Sequence, residues 1–452
     1  MDQKGYILTG MTPALSWIKK GTENVNLMMK ILEDLTPLNR VICSSDYDKT
    51  IDYLQDIHPF KVIEYSSRDE YNGWVIPPKW DVKEAKIIKD GKVIYDGQWH
   101  PLAVIAMSAA FRGKVDLAEL KRHLHYDHRY DDSLTFHFRQ QFRSWDRTWG
   151  FCVPKTFYDN LTEGEYEIII ETEEDEGVLK ILEFTHQGTL DESIVICANL
   201  DHPGVANDGL AGVVAGIELI RRLSGKKTKY TYKLVLAQGI IGSEYYLGKE
   251  NVEERNKILE CVCLWMVGSR TGLALQESRG ACSNIEHTMA RTMNDRGIAF
   301  RRGEFESIII NDEYIWEAYG IPTCSLSRFP YPEYHSSRDN VSIMSEECLE
   351  ETVRVLEGAV ELLEATTLVH KKFEGNICLS NPRYDLYVDP GQVAFGDHPG
   401  AEIKKMRLLM DLIPTLNRRK TTRWIAEKTG LSESIVIEYL QKWTDKGLLD
   451  LG

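Results

Sequence analysis

No apolar run in this sequence approaches the roughly 20 residues that a membrane-spanning helix needs. Its start, Met1-Asp2-Gln3-Lys4-Gly5, lacks a basic segment leading into an apolar stretch. A cytoplasmic protein with no membrane partner is the expectation. Paired cysteines are also missing: nine are scattered from Cys43 to Cys378 without a CxxC pair. An odd count without that spacing supports neither a zinc ribbon nor a disulfide framework, and buried free thiols are the usual case in strand-like apolar runs. Basic residues are in deficit, 54 Lys plus Arg against 69 Asp plus Glu, for a formal net charge of −15. That balance repels polyphosphate and disfavours nucleic acid as a partner. Internal repeats and low-complexity tracts are absent. What remains is ordinary, 43% hydrophobic and 27% charged residues over 452 positions, enough to bury cores in about three domains without staples.

Hydrophobic spacing divides the chain. Residues 1–75 read as helical, from Leu27, Met28, Ile31 and Leu32, then Ile51, Leu54 and Ile57. Over 76–149, short strand-like runs around Lys89-Asp90-Gly91, a hairpin signal, suggest a small β-rich module. From 150 to 375, strand candidates at 166–171, 178–184, 193–198, 232–237, 261–266, 307–311 and 323–327 alternate with helices at 209–223 and 346–364. This implies an α/β core, a mostly parallel mixed sheet flanked by helices. Pro and Gly residues between Pro382 and Gly400 mark a linker, 376–403. The tail, 404–452, reads as helices at 406–412, 421–428 and 432–443 with a short final strand, a winged-helix shape opened at its third helix by Ser432 and stopped by Gly447. Glu433, Glu438 and Asp445 beside Lys442 and Lys446 give that third helix no basic face for phosphates. Packing against the core, or against a second subunit in a homo-oligomer, is its expected use.

Chemistry concentrates where strands end. The segment Asn199-Leu200-Asp201-His202-Pro203-Gly204-Val205-Ala206-Asn207-Asp208-Gly209 joins a buried strand to a helix, at the sheet edge where open α/β folds place ligands. His202 and Asp208 are of the types that hold a zinc-like cation, although Asp208 as a helix cap and His202 on a loop carbonyl fit as well. Asn311-Asp312-Glu313 follows a second apolar run, where a helix cap is again the alternative. Tyr331-Pro332-Glu333-Tyr334-His335, continuing to Asp339-Asn340, is a long loop after a third strand. Three strand ends thus deliver His202, Asp208, Asp312 and His335 to one edge, a convergence that outweighs each separate alternative. Arg328 is a candidate to receive a substrate carboxylate, against an ordinary surface salt bridge. The run from His123 to Arg129 is rich in histidine and reads as a solvated helix end.

These residues resemble the zinc aminopeptidase superfamily that includes glutamate carboxypeptidase and the transferrin receptor. More closely, the chain is similar to a bacterial aminopeptidase-like family whose peptidase core carries an inserted β-rich domain and a C-terminal winged helix. The carriers are Trp74-Val75-Ile76-Pro77 with Trp80, Trp149-Gly150-Phe151-Cys152, His202-Pro203 with Ala206-Asn207-Asp208, Ile241-Gly242-Ser243, Asp312-Glu313 and Pro332-Glu333-Tyr334-His335 with Ser337 and Asp339-Asn340. The resemblance implies a zinc-dependent exopeptidase core for a small peptide or aminoacyl substrate. His202, Asp208, Asp312 and His335 match metal-ligand positions for one or two ions, with Asp208 as the bridge if two bind. Tyr334 joins Arg328 as a candidate substrate contact. Two positions depart from the pattern: Asn199 stands where the superfamily has its first His, and Gly239 where relatives carry an acidic ligand or base. Glu244 and Glu313 are the candidate replacements, with Asp201 a further one. The competing expectation is a degenerate relative kept for binding or scaffolding; a regulator with an effector-binding core rests only on the tail.

Overall fold

The computed structural model describes residues 26–250, 252–389, 400–416 and 418–452. Much of the expected linker, 390–399, and the first 25 residues of the N-terminal part lie outside them. The largest sheet has eight strands: β1 (Lys61–Ser66), β2 (Val178–His186), β3 (Ser193–Asn199), β4 (Thr231–Ala237), β5 (Ile258–Trp265), β6 (Leu273–Gln276), β7 (Phe300–Gly303) and β8 (Thr323–Ser327). Their spatial order is β1-β2-β4-β3-β5-β8-β6-β7. The central four, β4-β3-β5-β8, are parallel, and Cys197 on β3 lies opposite Val235 on β4 and Cys263 on β5. Such strands are buried on both faces, which explains their continuous apolar sequence. Ile194, Ile196, Leu234 and Leu236 face the helices α1 (Leu27–Leu35), α2 (Ser45–Ile57), α3 (Leu210–Leu223), α5 (Asn284–Asp295) and α7 (Glu346–Glu364). Val195, Cys197, Val235 and Cys263 face the other layer, with Tyr246 and Leu247 from α4 (Gly239–Lys249) and Ile315 and Trp316 from α6 (Glu313–Ala318). Successive residues of a strand point to opposite faces, so one run supplies both cores. A Cβ at Gly212 would lie 2.2 Å from the Leu264 carbonyl oxygen, so only glycine lets α3 pack this closely on β5.

Three sequence expectations change. The run 307–311 is no strand: the Ile308 and Ile309 amides both donate to the Gln276 side-chain oxygen, at 2.9 and 3.0 Å, and Ile310 is 70% exposed. A β-branched run looks like a strand whether or not a neighbouring strand is there to pair with it. The strand expected at 166–171 belongs to Glu165–Asp175, which pairs with Lys79–Lys89 and Phe111–Asp116 in a separate four-stranded antiparallel sheet, not with the large one. The helical reading up to residue 75 also stops early, because β1 pairs along β2 directly after α2. At the other end, helices Gly400–Leu412, Thr422–Thr429 and Glu433–Asp445 share a core with a three-stranded sheet whose central strand, Leu368–Lys371, follows α7. Among the described residues no helix is long and apolar enough to cross a membrane.

Candidate metal centre

β3 and β8 end on either side of β5, and their following loops meet above the carboxyl edge of the sheet. From the first loop come His202 and Asp208, and from the second His335. The His335 Nε2 lies 3.0 Å from Asp208 Oδ2, and His202 Nε2 lies 3.6 Å from the same oxygen. One donor atom from each of the three falls within 4.8 Å of the others, the one such group of His, Cys, Asp and Glu among the described residues. Neither simpler role for the carboxylates holds: Gly209 and Asp312 are the N-cap positions of α3 and α6, and neither helix has a side-chain capping bond.

The electrostatics call for positive charge. Burial opposes a proton on His202, yet Asp208 and Asp201 outweigh it and hold its pKa up at about 9. Burial likewise opposes ionisation of Asp208, and His202 and His335 reverse that, leaving its pKa below the usual value. Asp208 Oδ2 nonetheless accepts no well-formed hydrogen bond, Asp312 Oδ1 is buried without one, and Asp201 Oδ1 and His202 Nδ1 have only each other, at 3.4 Å. Buried polar atoms left this way are costly. Two imidazoles and a carboxylate around an unsatisfied oxygen are the donor set of a zinc-like cation with a position left open, so the residues present fit such an ion.

Asp312, the fourth expected ligand, is not in the three-donor group. Ser243 Oγ donates to its Oδ2 at 2.6 Å, and Trp316 Nε1 reaches that hydroxyl at 3.3 Å. Burial pushes its carboxyl up to about 7, opposed by the Ser243 hydroxyl and reinforced by Glu313 and Asp201. Tyr334 stacks on the His335 ring, with centroids 3.8 Å apart, and forms a wall of the site.

The other candidate residues lie outside the three-donor group. Glu244 Oε1 accepts from Asn72 Nδ2 at 2.9 Å and the Tyr319 hydroxyl at 2.8 Å. Glu313 Oε1 accepts from Trp265 Nε1 at 2.9 Å and Gln276 Nε2 at 3.2 Å. These partners occupy one oxygen of each carboxylate, Glu313 Oε2 is buried without one, and neither residue joins the three-donor group. Arg328 is a buried strut: Nε donates to the Val267 carbonyl at 3.1 Å, Nη1 to the Thr271 carbonyl at 2.7 Å and Nη2 to Glu351 at 2.5 Å. Gly239, at φ +43°, opens toward Asp201, whose Oδ2 would lie 3.4 Å from a Cβ there.

The β-rich module contributes residues that sequence reasoning missed. Phe136 lies 5.5 Å from the His202 ring and 5.3 Å from that of His335, and Phe138 lies 5.2 Å from His335. The Phe136 amide donates to the His335 carbonyl at 2.9 Å, and Thr135 bridges Ser336. This clasp holds His335 in the left-handed region, φ 54°, which non-glycine residues rarely adopt unless their surroundings impose it. The alternation Leu134, Phe136, Phe138 was the available signal, but nothing in it says which loop it meets.

Placed on this geometry, the family match is direct: the model described as Domain of unknown function (DUF4910) covers residues 29–366. The chain belongs to the DUF4910 family. All three donors and Asp312 fall inside the DUF4910 match; the helices from Gly400 onward fall outside it. A Clostridium acetobutylicum protein described as a "putative polysaccharide biosynthesis protein with aminopeptidase-like domain" is 25% identical over 356 residues, 77% of this chain and 80% of its own. In fold, the chain is similar to a crystal structure of a "putative peptidase" from the same organism, TM-score 0.72 and 22% identity over 94% of this chain and 96% of that one. It is also similar to BSAP, a zinc aminopeptidase from Bacillus subtilis, TM-score 0.57 and 13% identity over 74% and 94% of the two chains. The architecture of this DUF4910 member is that of aminopeptidase-like proteins.

Proposed function

We propose that the chain is a metal-dependent, aminopeptidase-like hydrolase that cleaves an amide bond of a small peptide or aminoacyl conjugate, using one or two zinc ions. The observation that carries this reading is the meeting of His202, Asp208 and His335 around an unsatisfied buried oxygen at the carboxyl edge of the sheet. The aminopeptidase-like domain named for the Clostridium relative and the zinc aminopeptidase among the fold neighbours support it. A zinc ion held there supplies Lewis acidity toward a carbonyl oxygen and lowers the pKa of water at its open position. The two imidazoles and Asp208 hold the ion, with Asp312 at hand for a second. Phe136, Phe138 and Tyr334 pack against the imidazoles and limit the access of bulk water to them. Asp201 Oδ1 lies 3.4 Å from His202 Nδ1, on the side of the ring away from the ligand nitrogen, where it orients the imidazole and raises its basicity.

One observation favours a second reading, a member kept for binding. Gly239 offers no carboxylate, and Glu244 and Glu313, each with one oxygen held by other partners, stand outside the three-donor group. General-base assistance is worth about 10²–10⁴-fold in rate, so its loss would leave a ligand site without turnover. The C-terminal helices, in this reading as in the first, pack on the core: the Thr421 amide donates to Asn284 Oδ1 at 2.9 Å, and His287 Nδ1 meets Glu427 at 2.8 Å. A cytoplasmic setting and self-association complete the proposal. Elemental analysis of untagged protein, paired with hydrolysis of amino-acid amides and dipeptides, tests it. Stoichiometric zinc with chelator-sensitive turnover is expected. Zinc without turnover moves the account to the binding reading, and no zinc, even after addition, overturns the metal centre.

A further inference from the structure

His202 and Asp208 are presented by a loop, and a loop holds ligand geometry only where other groups fix its backbone. Two buried groups of opposite charge do so here. Arg40, in the segment after α1, is wholly buried, and its fork is spent on carbonyls: Nη2 on Val205 at 3.0 Å and on His202, Nη1 on Leu35. Asp339, equally buried, takes the amides. Its Oδ1 accepts from Asn207 at 2.7 Å and Ala206 at 3.3 Å, and its Oδ2 from Asp208 at 3.0 Å and the Tyr331 hydroxyl at 2.6 Å. A buried charge is tolerated only where several hydrogen bonds compensate its lost hydration, and these two spend most of theirs on one loop. Arg328 is the contrasting case, a buried guanidinium whose carbonyl partners, Val267, Thr271 and Cys348, all lie elsewhere.

Resting on the metal-centre reading above, we propose that Arg40 is a positioning residue of that centre: with Asp339 opposite, it sets the 202–208 backbone so that His202 and Asp208 hold ligand geometry before a cation arrives. The N-terminal segment is then part of the site, although it supplies no ligand.

Zinc affinity of the full chain, measured by chelator competition with zinc alone, tests this. Arg40→Met removes the charge, and Arg40→Lys keeps it without the planar fork that spans several carbonyls. Both should bind zinc about 10- to 100-fold more weakly, the range typical for groups that orient ligands, in protein that still unfolds cooperatively. Arg418→Met, which removes a guanidinium from the Ile258 carbonyl at the far end of β5, should leave the affinity unchanged. Folded Arg40 variants that bind zinc like the wild type overturn the role. Should neither variant fold, amide exchange of the metal-free wild type decides: protection of Ala206, Asn207 and Asp208 equal to that with zinc supports a preset loop, and protection that arises only with zinc overturns it. A wild type that binds no zinc defeats the metal-centre reading, and this role with it, an outcome distinct from a variant that binds as well as its parent.

Discussion

Two pairs of histidines occupy this molecule under opposite conditions. His202 and His335 sit with ring centroids 6.0 Å apart and Asp208 between them, and His202 is held up at about 9 against its burial. His125 and His137, in the β-rich module, are closer, at 4.3 Å, with no carboxylate between them; burial, joined by the neighbouring His137, brings His125 down to about 4. Asp127, the acid nearest in sequence, is spent on Arg129 at 2.8 Å. His123, at the C-cap of the helix Leu117–Arg122, stacks on Trp149 at 3.8 Å and bonds its carbonyl at 2.8 Å, so this end of the histidine-rich run is packed, whereas His128 and Arg129 are exposed. Proximity of imidazoles is therefore not what marks a cation site. A shared, unsatisfied carboxylate oxygen is.

That contrast can be broken or sharpened by measurement. The largest effect is expected from Asp208→Ala, which leaves both imidazoles and removes the oxygen between them. Zinc affinity should fall by more than the about 100-fold typical of losing a supporting residue, as read by chelator competition. Next, zinc at a hundred times its dissociation constant should stabilise the wild type by about 2.7 kcal/mol in thermal unfolding. His335→Ala should abolish that gain, and His125→Phe should leave it whole. The His125 pair carries its own pH signature. A folded pKa below the unfolded value of about 6.5 means stability is complete above that pH and falls as pH drops toward about 4, since the unfolded chain takes up the proton first. His125→Phe should flatten that fall by about 1–2 kcal/mol in denaturant titrations between those pH values, the ring keeping some contact with solvent. Smallest of all, Glu244→Gln should change turnover less than about twofold, because its acceptor oxygen is already filled by Asn72 and Tyr319.

The parts legible in the sequence are those where one physical requirement dominates. β3, β4 and β5 are buried on both faces, so their apolar runs declared a parallel sheet; the loop after β3 carried polar residues that a mere connector does not need. What stayed hidden depends on partners distant in the chain. Nothing local separates the 307–311 run, satisfied by Gln276, from a paired strand, or tells 165–175 which sheet it enters. Arg328 followed a strand into the expected crevice by position, yet its guanidinium turns inward to Glu351. Phe136 and Arg40 reach the centre from 66 and more residues away in sequence, so only the folded backbone reveals them.

Anomalous diffraction at the zinc edge, on crystals grown with zinc, tests the central claim most directly. The account predicts a peak bonded to Nε2 of His202, Nε2 of His335 and Oδ2 of Asp208. Saturated crystals with no peak there, or with zinc held only at other residues, would contradict it.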